Sequence, residues 1–198
     1  MRRLRAECPW KQGQTHRSLA RYLLEETHET LEAIDAGDMK HLGEELGDLL
    51  LQIVFHAVIA EETGAFTLED VARGITEKMR RRNPHVFPPD GGRGGRPGDR
   101  QETPTRDLTA DDVNDLWQQI KAEEKSGRSR PDDGIPPTLP ALLYADKVLD
   151  RLARSGDDVV PDAGSDDLGE RLLALVAEAR ASGSDPEQAL RDAVRRRL

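Results

Sequence analysis

The sequence predicts an all-α protein, and three observations carry that expectation. Apolar residues recur at helical spacing of three and four along most of the 198-residue chain. No stretch alternates apolar and polar residues with the period of two that a half-buried strand requires. Hydrophobic residues make up 36% of the chain and aromatics only 4%, which suits polar helices better than a β-rich core.

The elements follow in order. Residues 1–14 contain Cys8-Pro9-Trp10 and Gly13 and read as irregular. Thr15 or Ser18 caps a first helix that runs to about Ala36, with Leu19, Leu23, Thr27, Leu31 and Ile34 at helical spacing, and Gly37 stops it. Asp38 caps a second helix that reaches about Thr63 before Gly64. Its expected buried stripe is Leu42, Leu46, Leu49, Leu50, Ile53, Val54 and Ala57. Thr67, with Glu69 and Asp70 behind it, opens a third helix ending at Asn83-Pro84. Lys78, Arg80, Arg81 and Arg82 fall in its last turns, where the helix dipole favours cations.

Residues 88–107 are rich in Gly, Pro and Arg and almost free of apolar side chains, so a mobile loop is expected there. A fourth helix spans 108–125, a flexible linker 126–137, and a fifth helix 139–153. An acidic loop at 155–165 leads to two short helices at about 166–182 and 186–197.

Charge and cysteine content narrow the function classes. A net charge of −9 and a pI near 5.1 argue against a protein that coats nucleic acid or an anionic membrane. Cys8 is the only cysteine, which excludes an intrachain disulfide and a Cys-rich zinc site and points to a reducing cytoplasm. No apolar run approaches membrane-spanning length. The basic start MRRLRAECPW has no apolar segment after it, so no secretory signal is expected.

The chemistry concentrates on the first two long helices. At ~100° per residue, Glu25, Glu26, Glu29 and Glu32 share an arc of roughly 120°, and Glu44, Glu45, Asp48 and Gln52 share one of about 100°. Each arc lies opposite its helix's apolar stripe. Glu26 and Glu29 are one turn apart, as are Glu45 and Asp48, so a hairpin across Gly37 can bring four oxygen donors together. Such a box suits Mg²⁺ or Mn²⁺. A single Glu pair on a helix is an ordinary solvated face; two pairs on consecutive helices, with Gly47 permitting close approach, raise the alternative of a cation site to equal standing.

The pattern E-E-x-x-E followed by E-x-x-D, here Glu25-Glu26-Thr27-His28-Glu29 and Glu45-Leu46-Gly47-Asp48, resembles the MazG-type nucleoside triphosphate pyrophosphohydrolases. The likeness extends upstream to Cys8, Pro9, Trp10, Gln14, Thr15 and His16. Downstream it takes in RRNPHVF (81–87), LWQQIKAEEK (116–125) and IPPTLPAL (135–142). It departs at Lys11, where the family more often carries Asp.

The resemblance implies an all-α helical bundle of the MazG-like type, assembled as a dimer or higher homo-oligomer with composite sites. It implies Mg²⁺-dependent hydrolysis of the α–β phosphate bond of nucleoside triphosphates, giving the monophosphate and pyrophosphate in nucleotide-pool housekeeping, with Mn²⁺ as a possible substitute metal. Carried over by position, Glu26, Glu29, Glu45 and Asp48 match metal ligands. Glu25 matches a further carboxylate near a second metal or the attacking water. Lys78 and Arg82 match phosphate contacts, Trp117 an aromatic that stacks on the base, and Lys121 a lysine that reaches the phosphates.

An internal echo completes the sequence picture. EELGDLLLQIV at 44–54 resembles DDLGERLLALV at 166–176, so Glu45 and Asp48 correspond to Asp167 and Glu170. The later copy lacks an EExxE helix. The expected organisation is a catalytic domain at 1–125, a linker at 126–137 and a degenerate second repeat at 138–198. Two other readings compete. Glu25-x-x-His28 meets half of the requirement of a carboxylate-bridged di-iron bundle, and its second motif is missing. A non-enzymatic helical metal-binding or adaptor protein would leave the acidic faces solvated or bound to a basic partner. No P-loop pattern is present, because the Gly-rich run 91–98 lacks the Gly-Lys-Ser/Thr ending.

Overall fold

The computed structural model describes residues 1–88, 109–124, 130–157 and 159–198. These residues form nine helices and no strand: α1 Arg2–Glu7, α2 Pro9–Gln12, α3 His16–Ala36, α4 Met39–Glu62, α5 Leu68–Arg82, α6 Ala110–Glu123, α7 Ala141–Ser155, α8 Leu168–Ala181 and α9 Pro186–Arg195. The chain divides into two compact units, Met1–Lys121 and Ala122–Leu198, with the end of α6 crossing the division. Apart from Pro88, the loop expected at 88–107 lies outside the described residues, as does the 126–129 part of the expected linker. No helix among the described residues is long and apolar enough to cross a membrane.

The first unit is built on the α3–α4 hairpin. Thr15 and Ser18 act together at the start of α3: the Thr15 hydroxyl accepts from the Ser18 amide at 3.1 Å, and the Ser18 hydroxyl accepts from the Thr15 amide at 2.9 Å. Gly37 ends the helix at φ 68°, a left-handed turn that a Cβ would strain. Asp38 then caps α4, accepting from the Lys40 and His41 amides at 3.0 Å each. Thr67 and Asp70 form a second reciprocal box at α5, which packs on α4. The same Thr/Asp pairing recurs at α6 between Thr109 and Asp112.

The N-terminal segment is helical where the sequence reads as irregular. α1 and α2 have six and four residues, too few to be stable alone. Tertiary contacts hold them. Arg5 Nη1 donates to the carbonyls of Gln12 and Gln14 at 3.0 Å and to that of Lys11, while its other nitrogens pair with Glu62. Arg2 pairs with Glu61 at 2.9 Å. Met1 and Tyr22 pack against the small core of Leu19, Phe55 and Ile59. His16 and His56 stack with ring centroids 5.0 Å apart and Nδ1 atoms at 2.7 Å, joining the start of α3 to α4.

The expected apolar stripe of α4 is only partly its buried face: Ala57 is buried and Leu42, Leu49 and Val54 are half-buried. Leu46, Leu50 and Ile53 are exposed by 51%, 57% and 45%, whereas Glu45 and Gln52 are buried. On α3, Leu23 and Ile34 are exposed, and Leu19, Thr30 and Ala33 are buried. The hairpin therefore closes on its acidic, small-residue side. A leucine stripe fixes which face must be covered; it does not say that the neighbouring helix of the same chain covers it.

In the second unit, α7, α8 and α9 pack on one another, with Ile135, Leu149 and Val176 buried. Residues 130–137 are held to α7 by Arg151, which donates to the carbonyls of Pro131 and Asp133 at 2.7 Å each.

Candidate active site

The closing of the hairpin on its polar side determines the site. Glu26, Glu29 and Glu45 each offer a carboxylate oxygen within 4.8 Å of the others. Asp48 stands outside that group and is exposed, but its charge reaches Glu26. The Glu26 carboxyl is held above its ordinary value by burial first, and then by the charges of Asp48, Glu29 and Glu45; a hydrogen bond from Gln52 acts in the opposite direction. Glu45 is 8% exposed. One of its oxygens takes His41 Nε2 at 2.8 Å, and the other, Oε2, is buried with no hydrogen-bond partner.

These features fit a hard divalent cation. The donors are all oxygen, their charges help hold the Glu26 carboxyl above its ordinary value, and one buried oxygen lacks a partner. His28 is exposed and lies outside the group, so the nitrogen donor of a di-iron site is not among the clustered ligands.

The other sequence-derived residues fall into two sets. Glu25 is exposed, and its carboxylate takes Arg21 Nη2 at 3.3 Å. Lys78 is exposed on α5, one turn before the buried Arg82. Arg82, Trp117 and Lys121 come together: the Arg82 guanidinium carbon lies 5.0 Å and Lys121 Nζ 4.9 Å from the indole centroid. The sequence reading assigned no role to two residues that the structure places at the carboxylates. His41 lies one turn before Glu45, which the spacing could have shown. Gln52 shares the acidic arc of α4, but an uncharged amide among acids gives no charge signal.

Residues 14–87, which contain the whole hairpin and α5, match the family model described as the MazG nucleotide pyrophosphohydrolase domain. Over 211 residues the chain is 37% identical to the nucleoside triphosphate pyrophosphohydrolase/pyrophosphatase MazG of Thermotoga maritima, covering 96% of this chain and 75% of that protein. The chain belongs to the MazG family. A second relative, an uncharacterized 26.1 kDa protein from the blaB 3' region of Streptomyces cacaoi, is 41% identical over 195 residues, covering 98% of this chain and 74% of its own length. Superposed on the crystal structure of a mazG-related protein from Thermotoga maritima, the chain gives a TM-score of 0.46 at 24% identity, over 60% of this chain and 90% of that one. The MazG match takes in Glu25, Glu26, Glu29, Glu45 and Asp48 together with Lys78 and Arg82, while Trp117 and Lys121 lie beyond its end.

Proposed function

We propose that this chain hydrolyses nucleoside triphosphates between the α- and β-phosphates, releasing the monophosphate and pyrophosphate. Mg²⁺, or Mn²⁺ in its place, is held by Glu26, Glu29, Glu45 and Asp48. The observation that carries this reading is the buried, unpartnered Glu45 Oε2 within a self-repelling carboxylate group. A bound divalent cation supplies charge neutralisation for the polyphosphate and a water acidified toward neutrality.

The remaining roles belong to the chain's own side chains. Glu25 orients the attacking water; its ion pair with Arg21 is exposed, of the kind worth roughly 0–1 kcal/mol, and so exchanges readily. Lys78, Arg82 and Lys121 bind the phosphates and stabilise the leaving pyrophosphate, and Trp117 stacks on the base. His41 orients Glu45 through their 2.8 Å contact.

We assign the exposed stripe of Leu46, Leu50 and Ile53 to contact with a second copy, making the working form a homodimer. Residues 138–198, within the second unit Ala122–Leu198, are read as a decayed repeat without a site of its own.

The test is direct. Purified protein with Mg²⁺ is screened against nucleoside triphosphates for pyrophosphate and monophosphate in equal amounts. Glu29→Gln and Asp48→Asn lower turnover by about 100-fold or more, at or beyond the upper end of the loss usual for residues that only support a ligand, with helicity by circular dichroism unchanged. Release of orthophosphate alone, or of nothing from any triphosphate, sinks the proposal.

A further inference from the structure

Gln52 is 5% exposed, in the middle of α4. Its side chain lies close enough to Glu26 to favour the charged form of that carboxyl. Its Oε1 is buried and has no hydrogen-bond partner. Burying a carboxamide with an empty acceptor is costly, and a methionine of similar length would fill the same space without that cost. The neighbours Leu49, Ile53 and Val54 show that this stretch of helix is otherwise apolar.

The position of the empty acceptor is informative. Among the described residues, the buried side-chain atoms without partners are Glu45 Oε2, Gln52 Oε1, His56 Nε2 and His85 Nδ1. The first two belong to residues seven apart on α4, which share one helix face, and both residues meet Glu26. A carboxamide carries its nitrogen and oxygen on one carbon, so fixing the nitrogen on Glu26 keeps the oxygen at the edge of the same carboxylate group.

We propose that Gln52 is a positioning residue of the carboxylate box, holding Glu26 in its ligand orientation through Nε2–H and accepting at Oε1 a hydrogen bond from a water held by the divalent cation. This rests on the reading of Glu26, Glu29, Glu45 and Asp48 as a cation site. Carboxylate ligands oriented by a neighbouring donor bind metal more tightly, and losing such a partner typically lowers affinity 10- to 100-fold.

The test compares Mn²⁺ affinity, read from the free-ion signal in electron paramagnetic resonance, for the unaltered full chain and for Gln52→Met. The expected result is binding about 10- to 100-fold weaker in the variant, with a melting temperature of the metal-free protein equal to or above that of the unaltered chain. Equal Mn²⁺ affinity overturns the role of Gln52 and leaves the cation site standing. Absence of Mn²⁺ binding by the unaltered chain overturns the cation site, and this role with it. If Gln52→Met is less stable or fails to fold, a crystal structure of the unaltered chain with Mn²⁺ decides. A cation-bound water within hydrogen-bond distance of Gln52 Oε1 supports the proposal, and an amide turned away from the cation overturns it.

Discussion

Glu26 shows how one residue reports on the whole site. Its folded carboxyl binds a proton more tightly than the unfolded chain does, because burial and three neighbouring carboxylates oppose its charge. With the folded value raised above the ordinary 4.5, the associated stability is intact below that pH and is lost as pH rises through the higher folded value. In the metal-free protein Glu26→Gln is therefore expected to raise the melting temperature at pH 7, with no gain below pH 4.5. Saturating Mg²⁺ reverses the order at pH 7. Identical melting curves across this window would mean that Glu26 is solvated rather than confined. Helical spacing made Glu26, Glu29 and Glu45 legible in the sequence, because like charges one turn apart on two consecutive helices have few structural uses. Gln52 was not legible, since its role depends on burial, and burial depends on which face of α4 meets α3.

At the scale of elements, helix ends were the most readable features. Thr15 with Ser18, Gly37 with Asp38, and Thr67 with Asp70 each act within a few residues, so local sequence contains the whole interaction. α1 and α2 were unreadable for the converse reason. Their support is Arg5, whose partners at 11, 12, 14 and 62 are brought to it by the fold. Glu61 and Glu62 are bound in the same way, by Arg2 and Arg5 across the fold. Arg5→Met is expected to destabilise the protein by about 2 kcal/mol or more, because several acceptors lose a charged donor together. Arg2→Met, which breaks one exposed pair, should cost much less. Denaturant melts of the two variants check this difference, and limited proteolysis should open the 9–14 segment only in the Arg5 variant.

For the whole molecule, the apolar residues left uncovered weigh most. α4 exposes Leu46, Leu50 and Ile53, and α5 exposes Leu68, Val71, Ile75 and Met79. Sedimentation equilibrium should give twice the 22.0 kDa chain mass, and Leu50→Glu should give the monomer and lose turnover with it. A monomeric unaltered chain would remove the second copy from the account. The sequence showed these stripes but not what covers them, since periodicity is the same whether the neighbour is within the chain or another molecule. The second unit treats its acids differently. Asp167, which corresponds to Glu45 in the internal echo, caps α8 by accepting from the Gly169 amide at 2.9 Å. Asp146 and Asp150 on α7 take Arg180 at 3.4 and 2.7 Å. Here the acids of α7 are met by a side-chain cation of α8.

The Arg82–Trp117–Lys121 cluster has an optical consequence. Indole emission shifts with the charges beside the ring, and Trp117 has two cations within about 5 Å of its centroid. The chain has only two tryptophans, and the other, Trp10, lies against Lys11 and Tyr22. In a Trp10→Phe background the emission spectrum belongs to Trp117 alone. On the proposed binding role of Arg82 and Lys121, a triphosphate that draws either toward its oxygens is expected to change this spectrum on binding, and stopped-flow emission against pyrophosphate release would time the two events; an unchanged spectrum counts against that role.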